Sequence, residues 1–210
     1  MTAMASTRVV RLPRDQRRAQ LLDAAIDVFT AKGYHAAAMD DIAEAAGVSK
    51  PVLYQHFPSK LDLYLALLDA SCDSLVEVVR VALASNEHNA DRVVATIDAF
   101  YAFVSSASGE FRFVFESDLT GDASVQKRLW QVNEEIADLI AEVIQGDTAL
   151  PREQSKLLAI SLVGNAQVSA RYWVSDRSAT IGLEQAKQLV STLAWRGISG
   201  FPLHEPRDRP

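Results

Sequence analysis

The sequence predicts an all-α protein of about nine helices, with a small N-terminal bundle followed by a larger helical domain. Three observations predict this class. Apolar residues recur at helical spacing along nearly the whole chain, no strand-and-turn pattern dominates, and glycine, proline and capping residues divide the chain into helix-sized segments. A hydrophobic content of 49% and a charged content of 23% are ordinary for a globular protein.

The N-terminal bundle is predicted from four segments. The first helix carries an apolar stripe that ends at Gly33, a glycine suited to a helix C-cap; the stripe comprises Leu21, Leu22, Ala25, Ile26 and Phe29. A short second helix, "MDDIAEAAG", has acidic residues in its first turn, which the helix dipole favours. We expect Ser49 to cap a third helix. We expect Ser59 to cap a fourth, which has Asp62 at its third position and runs to about Ala84.

The rest of the chain is predicted as five more helices, at about 89–106, 109–118, 122–145, 151–175 and 183–199. In the second of these, the alternating Phe111, Phe113 and Phe115 also fit a strand. No partner strand is evident elsewhere, so a short helix is preferred. The tail, residues 201–210, holds three prolines and is expected to be disordered.

Charge is unevenly distributed along the chain. The net charge is −6, but residues 1–60 carry 8 basic and 6 acidic side chains, whereas residues 61–210 carry 13 and 21. A basic head on an acidic body is typical of a protein that touches a polyanion at one end. The alternative is a basic tail that is merely solvated.

The stretch "AGVSKPVLYQHFPSK", residues 46–60, predicts a helix-turn-helix with its turn at Gly47. On the second helix, Leu53 and Phe57 are four residues apart and can face inward together. The remaining side chains, Lys50, Pro51, Val52, Tyr54, Gln55 and His56, would then face outward. Such a face suits a DNA major groove, where lysine and glutamine read base edges and Tyr or His bonds phosphates. The alternative is an ordinary helical hairpin with a polar outer side.

The segment "MDDIAEAAGVSKPVLYQHFPSKLDLYLALL" resembles the helix-turn-helix and following helix of the TetR (tetracycline-repressor) family of bacterial transcription regulators. Upstream, "LLDAAIDVFTAKGYHA" resembles that family's first helix, so the resemblance covers about residues 15–70. One departure is Ala38, where the family usually has a Thr or Ser that caps the second helix and contacts a phosphate. We expect Asp40 or Asp41 to take over the capping.

The resemblance implies a role for each matched residue and a division of the chain. Lys50, Pro51, Val52 and Gln55 would approach bases, and Tyr54, His56 and Lys60 would hold the DNA backbone, with Ser49 at the helix start and Arg14 in the basic arm also at the DNA. Residues 1–60 would form the DNA-binding domain and residues 61–200 a ligand-binding and dimerisation domain. A two-fold dimer would bind double-stranded DNA at an inverted repeat.

The larger domain has two candidate surfaces. Residues 100–130 hold seven of the sixteen aromatic residues, which predicts an apolar pocket for a small-molecule effector or, alternatively, plain core packing. The candidate ligand-binding residues are Phe100, Phe103, Phe111, Phe115, Trp130, Asn133, Asn165 and Tyr172. The resemblance implies that the last two helices pair with their symmetry mates, and the alternative is that both helices belong to the internal core. The candidate interface residues are Gly164, Ala166, Ala170, Trp173, Leu189 and Leu193.

Enzymatic function is not expected. The four histidines lack metal-ligand spacing, and neither a Gly-x-Ser-x-Gly motif, a phosphate-binding glycine loop nor a Cys-x-x-Cys motif occurs. We therefore expect no cofactor, no metal and no membrane span, and a cytoplasmic location. The sequence predicts a transcription regulator, most simply a repressor released by a largely apolar ligand. The alternatives are an activator, a ligand-independent regulator, or a helical interaction protein without DNA binding.

Overall fold

A computed structural model describes residues 12–106, 109–115, 119, 121–175 and 180–197. These residues contain nine helices and no strand, which confirms the all-α prediction. The predicted tail, 201–210, lies outside the described residues. The helices are α1 (Arg14–Ala36), α2 (Met39–Ala45), α3 (Lys50–His56), α4 (Lys60–Ala84), α5 (Asn89–Ser105), α6 (Glu110–Phe115), α7 (Ala123–Asp147), α8 (Arg152–Val174) and α9 (Leu183–Arg196).

The chain divides into two compact units, Met1–Leu67 and Leu68–Pro210, and the boundary falls within α4. The domain boundary predicted from the sequence lies instead at residue 60, where α4 begins. No helix in the described part of the chain is both long and apolar enough to cross a membrane.

Helix ends in the first unit follow from a few local residues. Gly33 adopts φ 72°, which interrupts the helical geometry of α1 as the predicted C-cap requires. Asp41 takes part in capping α2 as expected, because its carboxylate accepts the N–H of the N-cap residue Ala38 at 3.1 Å. Asp41 also pairs with Lys32 at 2.8 Å. Hydrogen bonds from Lys32 and then from the Ala38 backbone lower the pKa of Asp41.

The two predicted serine caps have different outcomes. Ser59 caps α4 as expected, since its Oγ accepts the Asp62 N–H at 3.1 Å and donates to the Asp62 carboxylate at 2.7 Å. Ser49 has the backbone geometry of an N-cap, but its side chain forms no capping hydrogen bond. Ser49 is therefore the N-cap residue of α3, as expected, but the capping hydrogen bond is absent, and Pro51 near the helix start leaves one fewer N–H to be satisfied.

The core of the first unit holds α1, α2 and α3 together. Leu21, Ala25 and Phe29 of α1 are buried, as are Ile42 of α2 and Leu53 of α3. The side-chain nitrogen of Gln20 donates to the Ala46 carbonyl at 2.8 Å. This bond ties α1 to the turn that joins α2 and α3, so the turn is held by long-range as well as local contacts.

In the second unit, α7 packs along α8, and α5 packs against both α8 and α9. The segment with alternating phenylalanines is helical, as preferred, and Phe111, Phe113 and Val114 are buried in it. Phe111 stacks on Phe115 with ring centroids 4.9 Å apart, and Phe115 meets Phe100 edge-on at 5.8 Å. Phe100, Phe111 and Phe115, which belong to the aromatic-rich stretch 100–130, therefore pack against one another.

Candidate DNA-binding interface and effector cavity

Helix α3 presents a largely polar outer face because its large apolar side chains point inward. Leu53 and Phe57 are 0% and 1% exposed. The other predicted contact residues point away from this core: Ser49, Lys50, Pro51, Tyr54 and Gln55 are exposed, and Val52 and His56 are half-buried. Gly47 has φ 64°, a left-handed conformation that lets the chain turn between α2 and α3. A helix with a free polar face after a tight turn can enter a major groove.

Lys50 is paired with a carboxylate of α2. Its ammonium lies 2.8 Å from one Asp40 oxygen and 3.1 Å from the other. The hydrogen bond that Lys50 donates to Asp40 raises the pKa of Lys50, which favours the charged ammonium. Both side chains are exposed, and exposed ion pairs contribute little to stability, so Lys50 can leave Asp40 for a base at small cost. Sequence reasoning did not anticipate this pairing.

A groove in the first unit joins the start of α1 to the end of α3. It is lined by basic, polar and apolar side chains, namely Leu12, Arg14, Arg17, Val52, Gln55 and His56. Burial first, and then the positive charges of Arg14, Arg18 and Arg17, lower the pKa of His56. Arg14 and Arg17 line this groove and no carboxylate does, which is an arrangement that a phosphate would stabilise. Arg17 is an additional candidate, whereas Arg8 and Arg11 lie outside the described residues.

Lys60 has a different environment from the one predicted. Its ammonium donates to the carbonyls of Tyr34 and Ala37 at 2.8 Å each and to that of His35 at 3.5 Å. It also lies 4.4 Å from the centroid of the Tyr34 ring. An ammonium has three N–H donors, and three carbonyls of the chain itself receive them. We therefore remove Lys60 from the candidate phosphate contacts and assign it to the packing of α4 against the end of α1.

The second unit contains an apolar cavity of about 80 Å³. Five helices contribute to its lining, which consists of Val79, Leu83, Val93, Thr96, Ile97, Phe100, Ile136, Ile140, Leu162, Val163, Ala166, Gln167 and Ala194. Only Thr96 and Gln167 among these carry a polar side chain. The Gln167 side-chain nitrogen donates to the side-chain oxygen of Asn133.

Most of the candidate ligand-binding residues do not reach this cavity. Phe100 lines it, and Asn133 is linked to it through Gln167. Phe103, Phe111, Phe115 and Asn165 are not part of the lining. Trp130 and Tyr172 are 64% and 53% exposed, so they cannot line an enclosed site in this chain. Sequence reasoning did not identify the aliphatic lining, because branched residues at helical spacing form the same pattern whether they face a cavity or a packed core.

Some of the candidate dimer residues are accessible to a partner chain, and others are engaged within their own chain. Leu189 and Leu193 of α9 are exposed, and Gly164 is half-buried with open space beside its Cα. Ala170 is 0% exposed and therefore packs inside its own chain, where no partner can reach it. Ala166 lines the cavity, and Trp173 donates from its ring nitrogen to the Ile181 carbonyl at 2.9 Å. The exposed apolar face of α8 instead contains Leu157, Val168 and Tyr172.

The buried inner side and free polar outer side of α3 define a helix-turn-helix DNA-binding protein. Residues 21–67 match the family model described as bacterial regulatory proteins, tetR family. The chain is 43% identical over 193 residues to the HTH-type transcriptional activator FasR of Mycolicibacterium smegmatis, which covers 92% of this chain and 88% of FasR. It therefore belongs to the TetR family, and it is a DNA-binding transcriptional regulator rather than an enzyme.

Solved structures share this fold. A TetR-like transcriptional regulator from Rhodococcus sp. RHA1 aligns with a TM-score of 0.71 and 29% identity, over 91% of this chain and 100% of that one. The regulator FadR from Bacillus subtilis, solved in complex with stearoyl-CoA, aligns with a TM-score of 0.69 and 18% identity, over 86% of this chain and 98% of that one.

Proposed function

We propose that the chain acts as a dimer that binds an inverted-repeat operator and leaves it when an apolar effector fills the cavity of the second unit. The observation that carries the DNA-binding part is the exposed face of α3, whose inward side is fully occupied by Leu53 and Phe57. Because the exposed side chains of this face are not needed for the chain's own core, their identities can serve recognition. Such a regulator would act in the cytoplasm, where the chromosome is.

The contacts divide by chemistry. Lys50 and Gln55 carry hydrogen-bonding groups suited to guanine and adenine edges, and Pro51 and Val52 can contact a thymine methyl group. Tyr54, His56 and Arg14 would bond phosphates and set the register of the helix, with Ser49 at its start. Arg17 lines the same groove as Arg14 and would join this second group.

The dimer would form through the exposed apolar faces of α8 and α9. Val168 is 69% exposed and Leu157 is 66% exposed, and both are apolar residues on one long helix. Leu189, Leu193 and Trp195 add exposed apolar area on α9. Faces of this kind on helices are typical of association surfaces. Val168→Glu should leave a monomer by analytical ultracentrifugation. Val81→Glu, at a valine on α4 that is 58% exposed, should remain dimeric.

The effector is proposed to carry a long apolar chain. The cavity lining supports this, and FadR shows that the fold can accommodate stearoyl-CoA. A volume of about 80 Å³ is well below the roughly 300–1,000 Å³ of typical ligand sites. The effector must therefore widen the cavity and displace its lining. Val79 and Leu83 belong to α4, which begins at Lys60 in the DNA-binding unit, so widening can shift that unit.

The DNA-bound regulator could either repress or activate transcription. The sequence led us to expect a repressor, and the release mechanism is compatible with one. The similarity to FasR, which is named an activator and aligns over nearly the whole chain, favours activation. We propose activation, with the operator placed where the bound dimer assists polymerase. Deleting the gene should lower transcription from the target promoter, whereas a rise would identify a repressor.

The DNA-binding proposal is tested by fluorescence anisotropy against the DNA upstream of the gene. We expect salt-sensitive, sequence-selective binding that decreases when dodecanoyl-CoA is added. Gln55→Ala should narrow the difference in affinity between the operator and a scrambled duplex. If this variant weakened binding to every duplex equally, Gln55 would be a backbone contact and the base assignment would fail.

A further inference from the structure

The apolar cavity contains a hydroxyl group that the protein itself does not satisfy. Thr96 of α5 lines the cavity, and its Oγ1 is shielded from solvent. Within the described ranges, no atom forms a hydrogen bond with this oxygen. A threonine in a helix can usually bond the carbonyl of the preceding turn, and here it does not. The hydroxyl is thus free to bond a molecule inside the cavity.

A buried hydroxyl without a partner destabilises the folded chain, whereas valine would fill the same volume without that cost. The second polar group of the lining, Gln167, is already engaged through its nitrogen with Asn133. All other lining side chains are apolar. Thr96 is therefore the lining residue whose hydrogen-bonding group is wholly unpaired within the described part of the chain, and it can recognise a ligand oxygen in an otherwise apolar site.

We propose that the Thr96 hydroxyl donates a hydrogen bond to a carbonyl oxygen of the effector, so that the regulator distinguishes acyl from alkyl compounds. This inference rests on the proposed effector cavity and adds the chemistry that is read there. The apolar lining accepts the chain of either compound equally. Only the acyl compound offers an acceptor that pairs with Thr96, and pairing a buried donor is favourable relative to leaving it unpaired.

The test uses two probes that differ by one carbonyl oxygen, dodecanoyl-CoA and its thioether S-dodecyl-CoA. Their dissociation constants are measured by calorimetry with the wild-type chain, with Thr96→Val and with Ser155→Ala. Ser155 is a matched control, because its hydroxyl is also buried and unbonded within the described residues but does not line the cavity. We expect the wild type and Ser155→Ala to bind the acyl probe about five- to tenfold more tightly, which is the effect of one hydrogen bond.

In Thr96→Val the two probes should bind with affinities within about twofold, and most of the change should come from weaker binding of the acyl probe. Without ligand, this variant should bind operator DNA like the wild type and melt at the same or a higher temperature, because an unpaired hydroxyl has been removed. A clearly lower melting temperature would show that the protein already satisfies the hydroxyl and would overturn the proposal.

Two binding results would also overturn it, and they are distinguishable. If both probes bind but the wild type shows no acyl preference, or Thr96→Val retains it, the cavity is an effector site and Thr96 does not read the carbonyl. If neither probe binds the wild type, the proposed effector class is refuted together with the role of Thr96.

Discussion

Replacing Lys60 distinguishes between two possible roles of this residue, because one role predicts a loss of stability and the other a change in the salt dependence of DNA binding. Sequence reasoning placed Lys60 on the DNA backbone, whereas the structure directs its ammonium to the carbonyls of Tyr34, His35 and Ala37. Lys60→Met retains a side chain of similar length and removes the charge and the donors. If Lys60 holds α4 against the end of α1, the variant loses stability. If it contacts phosphate, the variant loses part of the salt dependence of DNA binding.

The size of the stability loss follows from the contacts. A hydrogen bond with a charged partner contributes about 1.5–3 kcal/mol when shielded, and a cation over an aromatic ring about 0.5–1 kcal/mol when exposed. Lys60 is half-buried, and water can replace part of what is lost. We therefore expect a net loss of about 2 kcal/mol, which lowers the melting temperature of a chain of this size by about 4–8 °C.

The assay pairs thermal melting with operator binding at several salt concentrations. Each lost phosphate contact reduces the slope of log K against log salt by about 0.9. We expect Lys60→Met to keep the wild-type slope even if its affinity falls. Arg14→Met should reduce the slope, and Lys127→Met, at an exposed lysine of α7, should change neither measurement. A reduced slope with an unchanged melting temperature for Lys60→Met would refute the assignment.

Three further predictions concern single residues. Gly47→Ala should cost about 1–2 kcal/mol in urea unfolding, because φ 64° disfavours a Cβ although the space around it is open; the helical Gly146→Ala should instead stabilise the chain. Burial raises the pKa of Cys72 to about 12, so native Cys72 should resist iodoacetamide at neutral pH and react after unfolding, as mass spectrometry would show. Burial and nearby arginines lower the pKa of His56 in the free protein, and a phosphate would raise it. Operator affinity should therefore increase as pH falls from about 7.5 to 6, and His56→Gln should remove that increase.

The helices could be predicted from sequence because their signals are local. Gly33 ends the regular geometry of α1, Ser59 with Asp62 starts α4, and Leu53 with Phe57 identifies the inner side of α3. Each signal involves residues within four positions of one another. The outer face of α3 follows directly, since it comprises what remains after the inner side is assigned.

Contacts between distant residues could not be predicted in this way. Lys60 meets carbonyls 23 to 26 residues earlier in the chain, and Gln20 meets Ala46. A lysine at the start of a helix looks the same in sequence whether it faces DNA or a neighbouring carbonyl. The distinction depends on how α1 and α4 pack, which no short pattern encodes.

The proposed dimer face shows that residues on one helix can differ in their access to a partner chain. The candidate dimer residues Ala166 and Ala170 are small, but Ala170 is fully buried within its own chain and Ala166 lines the cavity. Val168 and Tyr172 are also four residues apart, on a different side of α8, and both are exposed. A small side chain therefore does not show whether the helix beside it belongs to the same chain or to a partner. Large apolar side chains left in solvent carry the information that small ones lack, because their exposure is unfavourable until a second surface covers them.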